Sequence, residues 1–162
     1  MNLSTLLTPA RTLCRISVSD KQQALERCAH FIVEKSIAEK SIAETGTVGF
    51  DANGLLLSLQ ARERLGSTGL GSGIAIPHCR LKNLDTVSGA LITLAEPIDF
   101  DAIDGAPVDI LFVLLAPENA MQQHLSALAA LAALFNEATF RQRLRNATNA
   151  EQLFQAAVEF PD

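Results

Sequence analysis

The spacing of apolar residues along the chain changes from a strand period to a helical period and back again. Alternating apolar and polar side chains over residues 12–16 predict an edge strand. Apolar residues at spacings of three and four predict an amphipathic helix over about 20–33 or beyond, and Ser19 with Gln22 matches a capping box. A second helix is predicted over residues 51–66, where a glycine suits the helix end.

The second half of the chain predicts two strands followed by helices. Residues 87–94 suit a strand, and the continuous apolar run within 108–115 is typical of a strand buried on both faces. A long helix is predicted over 118–135, followed by two short helices capped by Asn136 and Asn149. The stripe expected to pack this long helix onto the core is Met121, His124, Leu125, Leu128, Leu131 and Phe135.

These elements together predict an α/β fold. Helices at both ends of the chain, strands between them and one doubly buried strand indicate three layers. We therefore expect residues 1–162 to form a single three-layer domain with a mixed central β-sheet flanked by helices on both faces.

Between the second helix and the strands, residues 69–78 run through a glycine-rich turn to a histidine that follows a proline. The glycines permit positive φ and close approach of another group. Ile74 and Ile76 lie two apart and should point to one face of a short strand. Pro77 removes a backbone donor, so the strand should stop there and leave His78 at its end. Such a histidine can act on a ligand, but a surface loop histidine fits these residues equally well.

Composition narrows the class of protein. Of the 162 residues 48% are hydrophobic and 19% charged, which is typical of a soluble globular chain. The net charge of −5 argues against broad binding to nucleic acid, which needs an excess of Lys and Arg. We see no signal peptide and no apolar stretch of about 18 residues, so we expect no membrane insertion.

Two further features concern the cysteines and a repeat. Cys14, Cys28 and Cys79 have no paired spacing, which favours reduced thiols in the cytoplasm over a disulfide framework or a zinc site. Residues 35–39 are repeated without change at 40–44. Because a period of five matches neither a helix nor a strand, we interpret it as a local duplication that lengthens the first helix or its loop.

The candidate chemistry lies in histidines and one arginine. His30, inside the first helix, is expected to be a surface or structural residue. His124, near a helix start, is either a half-buried packing residue or a neutral donor to an anion. Arg62 lies sixteen residues before His78 and is either a solvated charge at a helix end or a guanidinium that grips a phosphoryl group.

A resemblance to a known family is carried by residues 62–78, which read Arg-Glu-Arg-Leu-Gly-Ser-Thr-Gly-Leu-Gly-Ser-Gly-Ile-Ala-Ile-Pro-His. This run resembles the signature of the fructose/mannitol-type IIA proteins of the bacterial phosphotransferase system. Its Gly-Ser-Thr-Gly stretch and the Phe-Asp-Ala-Ile-Asp of 100–104 resemble the nitrogen-regulatory branch more than the sugar-specific ones. Gln-His-Leu at 123–125 matches a second histidine of the family. The duplication and Cys79, where the family commonly has glycine, are departures.

The resemblance implies that His78 accepts a phosphoryl group from a phosphorylated histidine carrier protein. Arg62 would then hold the phosphoryl group and His124 would donate a hydrogen bond to it. The residues expected to bind the phosphate through hydroxyls and amides are Ser67, Thr68, Gly69 and Gly71. The chain would be a cytoplasmic phosphotransferase-system component with neither cofactor nor metal, and without independent turnover of a metabolite.

Several functions remain open at this point. If the chain is a phosphoryl carrier, two roles are possible. We prefer a regulator whose target proteins bind according to its phosphorylation state, and the alternative is a relay that passes phosphate to a sugar-specific IIB domain. A metal-dependent hydrolase would use His78, His124 and either Asp99 or Asp101, although no His-Glu-x-x-His motif is present. A pure binding module would hold an anion without modification of the histidine.

Overall fold

The structure is a computed structural model that describes residues 2–39, 51–82 and 84–160. Its described strands are β1 Thr12–Ile16, β2 Gly69–Gly71, β3 Ile74–Ala75, β4 His78–Leu81, β5 Ser88–Ile98 and β6 Val108–Pro117. The described helices are α1 Lys21–Glu39, α2 Ala52–Arg64, α3 Met121–Phe135, α4 Ala138–Asn146 and α5 Ala150–Val158. Two short 3-10 turns, Leu3–Thr5 and Pro9–Arg11, precede the first strand.

The described strands form one mixed sheet in the order β1-β5-β6-β3-β2. Strand β5 pairs antiparallel with β6 and parallel with the edge strand β1. On the other side of β6, β3 and β4 pair parallel with successive parts of the same strand, and β2 is antiparallel to β3. The sheet thus carries His78 opposite Leu114, near the carboxyl end of β6.

The core lies on both faces of β6, as the sequence predicts. Leu111, Val113 and Leu115 pack on one face with residues of α1 and α2. The alternate residues of this strand, among them Phe112, pack on the other face with residues of α3, α4 and α5, including the fully buried Phe140. The prediction of a mixed sheet between two helical layers is therefore confirmed.

Helix caps confirm the predicted elements but shift two of the predicted capping residues. Asp20, rather than Ser19, accepts the hydrogen bond of the first turn of α1, at 2.8 Å from the amide nitrogen of Gln23. Asn136 ends α3 instead of capping α4, whose cap residue Glu137 makes no side-chain bond. Asn149 caps α5 as expected, because its Oδ1 accepts from the amide of Gln152 at 2.9 Å.

The prediction for Pro77 is wrong in one respect. Strand β3 does end before it, and Ile74 and Ile76 share the same buried face. A new strand begins at once with His78, because a proline at the junction still leaves its carbonyl free to accept from the amide of Leu114 at 2.9 Å. His78 is consequently the first residue of a strand that pairs with β6, rather than a residue at the end of the preceding strand.

Two further sequence predictions concern the repeated segment and His30. Residues 40–44, the second copy of the repeat, lie outside the described residues. His30 is exposed on α1, as expected of a surface residue. Among the helices that the structure describes, none combines the length and the apolar content needed to cross a membrane.

Candidate functional site

The two ring nitrogens of His78 have different partners. Nδ1 lies 2.8 Å from the carbonyl oxygen of Ile76, and Nε2 lies 3.1 Å from Nε of Arg62. Because a carbonyl oxygen only accepts, Nδ1 carries the proton and donates it to Ile76. Because the guanidinium only donates, Nε2 offers its lone pair to Arg62. These partners assign the neutral Nδ1–H tautomer, in which Nε2 is the nucleophilic atom.

The electrostatics of the pocket keep this ring neutral. Burial lowers the pKa of His78 below its ordinary value of 6.5, and the positive charge of Arg62 lowers the pKa further. The hydrogen bond to Ile76 and the carboxylate of Glu63 act in the opposite direction but do not reverse the shift. An unprotonated Nε2 is therefore available at neutral pH.

Arg62 is positioned by the end of its own helix. It lies in the last turn of α2, half-buried, and its Nη1 donates to the carbonyl of Gly66 at 2.7 Å. Within the described part of the chain it forms no ion pair with a carboxylate. Its guanidinium thus faces the imidazole with a positive charge that is not paired with any carboxylate of the described residues.

His124 approaches the same ring from α3. The ring centroids of His78 and His124 are 5.2 Å apart with an interplanar angle of 72°, an edge-to-face contact. His124 is only 7% exposed, and its Nε2 has no hydrogen-bond partner among the described residues. Burial, then the charges of His78 and Arg80, lower the pKa of His124, so it too is neutral. A neutral ring with an unpartnered nitrogen can bind a polar atom that enters beside His78.

These side chains line a cleft of about 670 Å³ between α2, β4 and α3. Its rim carries three exposed apolar side chains: Leu65 is 84%, Leu125 55% and Met121 53% exposed. Met121 and Leu125 were expected to pack into the core as part of the α3 stripe. That expectation is wrong, because the buried residues of this helix are His124, Ala127, Leu131 and Phe135.

The four residues expected to bind phosphate lie elsewhere. None of them lines the cleft, and their polar groups already have partners. Ser67 Oγ donates to the carbonyl of Phe100 at 2.6 Å and accepts from the amide of Gly69 at 3.0 Å. The amide and hydroxyl of Thr68 both donate to Glu63.

The two glycines in that set serve packing and turn geometry. A Cβ added to Gly69 would lie 2.8 Å from that of Ala102, so this position needs glycine for close approach. Gly71, with φ of +103°, precedes the turn where the amide of Ser72 donates to Asp104. In the described residues these groups have structural partners, and the prediction that Ser67, Thr68, Gly69 and Gly71 hold a phosphoryl group gains no support from them.

The structure reveals two charged residues near the site that the sequence reasoning missed. Glu63 follows Arg62 directly, and its side chain is only 6% exposed. Its Oε2 lies 2.8 Å from Nζ of Lys21, which also lies over the Phe100 ring at 4.6 Å. One signal was present in the sequence, since a lysine at a helix N-terminus runs against the helix dipole and needs a compensating partner.

The metal-dependent alternative lacks a ligand set in the described residues. No group of three or more His, Cys, Asp or Glu side chains there is arranged to hold a metal ion. Asp99 accepts from the amide of Asp101 at 2.9 Å, and the carboxylate of Asp101 lies 3.8 Å from Lys21. Cys79, beside the site, is buried, and burial raises the pKa of its thiol to about 12. At neutral pH this thiol is therefore protonated and a poor nucleophile.

The chain is similar to known proteins over almost its whole length. Residues 5–158 match the family described as phosphoenolpyruvate-dependent sugar phosphotransferase system, EIIA 2. The chain is 45% identical to a nitrogen regulatory protein of Pseudomonas aeruginosa over 98% of its length and 96% of the relative. It is 38% identical to a nitrogen regulatory protein of Escherichia coli, over 98% of this chain and 91% of that one.

The fold is also similar to that of a solved structure. The crystal structure of nitrogen regulatory protein IIA-Ntr from Neisseria meningitidis superposes with a TM-score of 0.82 at 33% identity. The match covers 96% of this chain and 98% of the other. The strand that carries His78 and the helix that carries Arg62 thus lie within a fold shared with that protein along almost its full length.

Proposed function

Because the chain belongs to the EIIA type-2 family of the phosphoenolpyruvate-dependent sugar phosphotransferase system, we propose that it carries a phosphoryl group on Nε2 of His78. It is a phosphotransferase-system component, and its role in this proposal is to accept and hold phosphate rather than to turn over a metabolite. The observation that carries the proposal is the pairing of this nitrogen with Arg62 while Nδ1 donates to Ile76. The family match also supports the proposal that residues 1–162 form one such domain.

The transfer step follows from the assigned tautomer. The donor is a protein phosphohistidine whose ring is protonated at its other nitrogen. The lone pair of His78 Nε2 attacks the phosphorus, the P–N bond of the donor breaks, and its electron pair returns to the donor imidazole, which leaves neutral. His78 then holds the phosphoryl group as an imidazolium whose Nδ1–H remains bonded to Ile76. No group from outside these two rings is needed to balance the step.

Arg62 and His124 stabilise the phosphoryl charge in this step. In the free protein Nε of Arg62 lies 3.1 Å from Nε2 of His78 and donates to its lone pair. Once Nε2 is bonded to phosphorus, a short movement brings the same donor to a phosphoryl oxygen. His124 also lines this cleft, and in its Nε2–H tautomer the unpartnered Nε2 donates to a phosphoryl oxygen that comes within hydrogen-bond distance. Donors that are already in place cost little reorganisation as the charge arrives.

The rim of the cleft supports protein partners. Leu65, Met121 and Leu125 surround the site with exposed apolar surface, which favours contact with a folded carrier over a small hydrophilic sugar. Phosphorylation places a dianionic phosphoryl group on a ring that becomes an imidazolium, so the centre of this rim gains about one net negative charge. A target protein that docks there will distinguish the two forms, which is the basis of a regulatory role.

We place this role in the nitrogen-related branch. The support is similarity over almost the whole chain to proteins named for nitrogen regulation in Pseudomonas aeruginosa and Escherichia coli. The regulated targets are proteins that bind one phosphorylation state more tightly. Relay of phosphate to a sugar-specific IIB domain is the alternative, and it predicts rapid transfer from His78 to such a domain.

The proposal is tested by incubating the full chain with a phosphorylated histidine carrier and measuring its intact mass. We expect a gain of one phosphate that is labile in acid and stable in alkali. The gain should vanish in His78→Ala and persist in His30→Gln, which changes an exposed histidine. An unmodified mass with a donor that phosphorylates another acceptor would refute it.

A further inference from the structure

We infer that the Glu63 carboxylate is a positioning residue for phosphoryl transfer, because it holds the turn that aligns both ring nitrogens of His78; this inference rests on the proposed function. Glu63 does not line the cleft and touches none of the reacting atoms. Its side chain is buried, at 6% exposure, between α1, α2 and the turn that precedes β2. What it does must therefore act through its neighbours.

The carboxylate of Glu63 accepts two hydrogen bonds from Thr68 and also pairs with Lys21. Oε1 accepts the hydroxyl of Thr68, and Oε2 accepts the amide of Thr68 at 3.2 Å. Oε2 also pairs with Nζ of Lys21 at 2.8 Å. A buried carboxylate is stable only when it is paired and hydrogen-bonded, and this one has both kinds of partner. Thr68 is consequently held by its amide and by its side chain at once.

One path leads from Thr68 to Nδ1 of the reactive ring. The carbonyl of Thr68 accepts the amide of Ile76 at 3.1 Å. The carbonyl of Ile76 in turn accepts Nδ1–H of His78 at 2.8 Å. The position of Thr68 therefore sets the acceptor that fixes the tautomer of His78.

A second path leads to Nε2. Arg62, which donates to this nitrogen, is also tied to the carbonyl of Gly66, two residues before Thr68. Because Thr68 is held in place, the short turn from Gly66 to Thr68 is fixed at its far end. The carbonyl of Gly66, which orients the guanidinium of Arg62, is fixed with it. Glu63 thus closes a ring of contacts through Thr68, Ile76, His78, Arg62 and Gly66.

The primary test is Glu63→Gln in the full chain. The amide keeps the shape of the side chain but loses the charge that pairs with Lys21. Its NH₂ group faces either the Thr68 hydroxyl, which must then turn to accept from it, or both the Thr68 amide and the Lys21 ammonium, from which it cannot accept. We expect a folded protein whose rate constant for transfer falls about tenfold or more, since small misplacement of reacting groups costs up to about a hundredfold. The KM for the donor should stay unchanged, because Glu63 lies outside the docking cleft.

A spectroscopic readout separates positioning from general destabilisation. The ¹⁵N shifts of His78 report which ring nitrogen carries the proton, and they need no donor. In the parent protein we expect the Nδ1–H tautomer. In Glu63→Gln we expect the signals of both tautomers in exchange, because the Ile76 carbonyl is no longer held in place.

Matched variants keep the test decisive if Glu63→Gln does not fold. Thr68→Val removes the hydroxyl at nearly constant volume and should reproduce both effects, while Thr68→Ser keeps the hydroxyl and should restore parent behaviour. Asp101→Asn removes the other acid near Lys21, at 3.8 Å, and should change neither readout.

The outcomes are distinguishable from those that test the function itself. A parent protein that accepts no phosphate on His78 refutes the proposed function but leaves the tautomer measurement valid. A Glu63→Gln or Thr68→Val protein that keeps a pure Nδ1–H signal, or transfers phosphate within twofold of the parent rate, overturns the positioning role.

Discussion

Two arginines contact the glycine-rich segment of residues 69–78, and their surroundings differ: Arg62 meets it at His78, and Arg145 meets it at the Ser72–Gly73 turn. Arg145 of α4 donates from Nε and Nη2 to the carboxylate of Asp109, and its Nη2 also reaches the carbonyl of Ser72 at 2.7 Å. A Cβ on Gly73 would lie 2.3 Å from that Nη2, so the turn is built closely around this ion pair. Arg62, in contrast, donates to a neutral imidazole and to one carbonyl.

The difference separates a structural arginine from one that is poised for an anion. The charge of Arg145 is already matched by a carboxylate, so an incoming phosphoryl group would gain little from it. The charge of Arg62 has no acid partner in the described residues, and it faces a lone pair that a phosphoryl group can replace. We therefore expect Arg145 to contribute to stability, whereas our proposal assigns Arg62 to phosphoryl transfer.

The largest effect is expected from Arg62→Lys, which tests the functional half of this comparison. An ammonium keeps the charge but cannot make the planar two-pronged contact. We expect transfer from a phosphorylated carrier to slow on the order of a hundredfold, with the melting temperature little changed. Arg64→Lys, an exposed arginine of the same helix, is the matched control. Parent kinetics in Arg62→Lys would remove this role.

His124→Leu sharpens the comparison within the site. Its buried, unpartnered Nε2 carries a cost in the free protein that an apolar side chain of similar size does not. We expect transfer to slow about tenfold or more, while the free energy of unfolding stays equal or rises by about 1 kcal/mol. Urea unfolding and transfer kinetics on the same samples measure both. A large loss of stability would instead mark His124 as a packing residue.

Arg145→Gln tests the structural half. Loss of the charged contacts to Asp109 leaves a half-buried carboxylate with poorer partners, and we expect a loss of about 1–2 kcal/mol in unfolding free energy. The rate of phosphoryl transfer should remain within about twofold of the parent. Arg143→Gln, at an exposed neighbour whose Nε donates to the carbonyl of Ala156 in α5, serves as the control. A specific loss of transfer in Arg145→Gln would erase the distinction between the two arginines.

The smallest effect is a pH dependence of stability. Burial lowers the pKa of both His78 and His124 below 6.5, so in mildly acidic solution the unfolded chain binds more protons than the folded one. Their contribution is fully present above that value and is lost as the pH falls from it toward the folded-state pKa values. Urea unfolding from neutral to mildly acidic pH should show this decline, and His124→Leu should make it shallower. His30→Gln should leave it unchanged, and a stability that rises on acidification would contradict the assignment.

The elements of the fold were predictable because their periodicity is strong. The doubly buried β6 and the capped α5 follow from an apolar run and from Asn149 alone. The exact ends of the helices and strands depend on tertiary contacts that a single sequence does not show. The junction at Pro77, for example, required a neighbouring strand whose Leu114 amide donates to the carbonyl of Pro77.

The site was predictable only in its most distinctive residues. His78, Arg62 and His124 follow from a resemblance, and the structure brings them together. Ser67 and Thr68 bond to Phe100 and Glu63 in the structure, which the sequence did not predict, because a hydroxyl near a glycine turn gives no sign of which acceptor it will find. Glu63 was missed, because a charged residue in a last helical turn is normally solvated, and its burial appears only when α1 packs beside it.

The most direct test of the account is the atom that carries the phosphate. Phosphorylation of ¹⁵N-labelled protein, followed by ³¹P and ¹⁵N NMR of the histidine rings, identifies it without any substitution. The account predicts a P–N bond at Nε2 of His78 with Nδ1 still protonated and bonded to the Ile76 carbonyl. Phosphate on Nδ1 of this ring, or on His124, would contradict it.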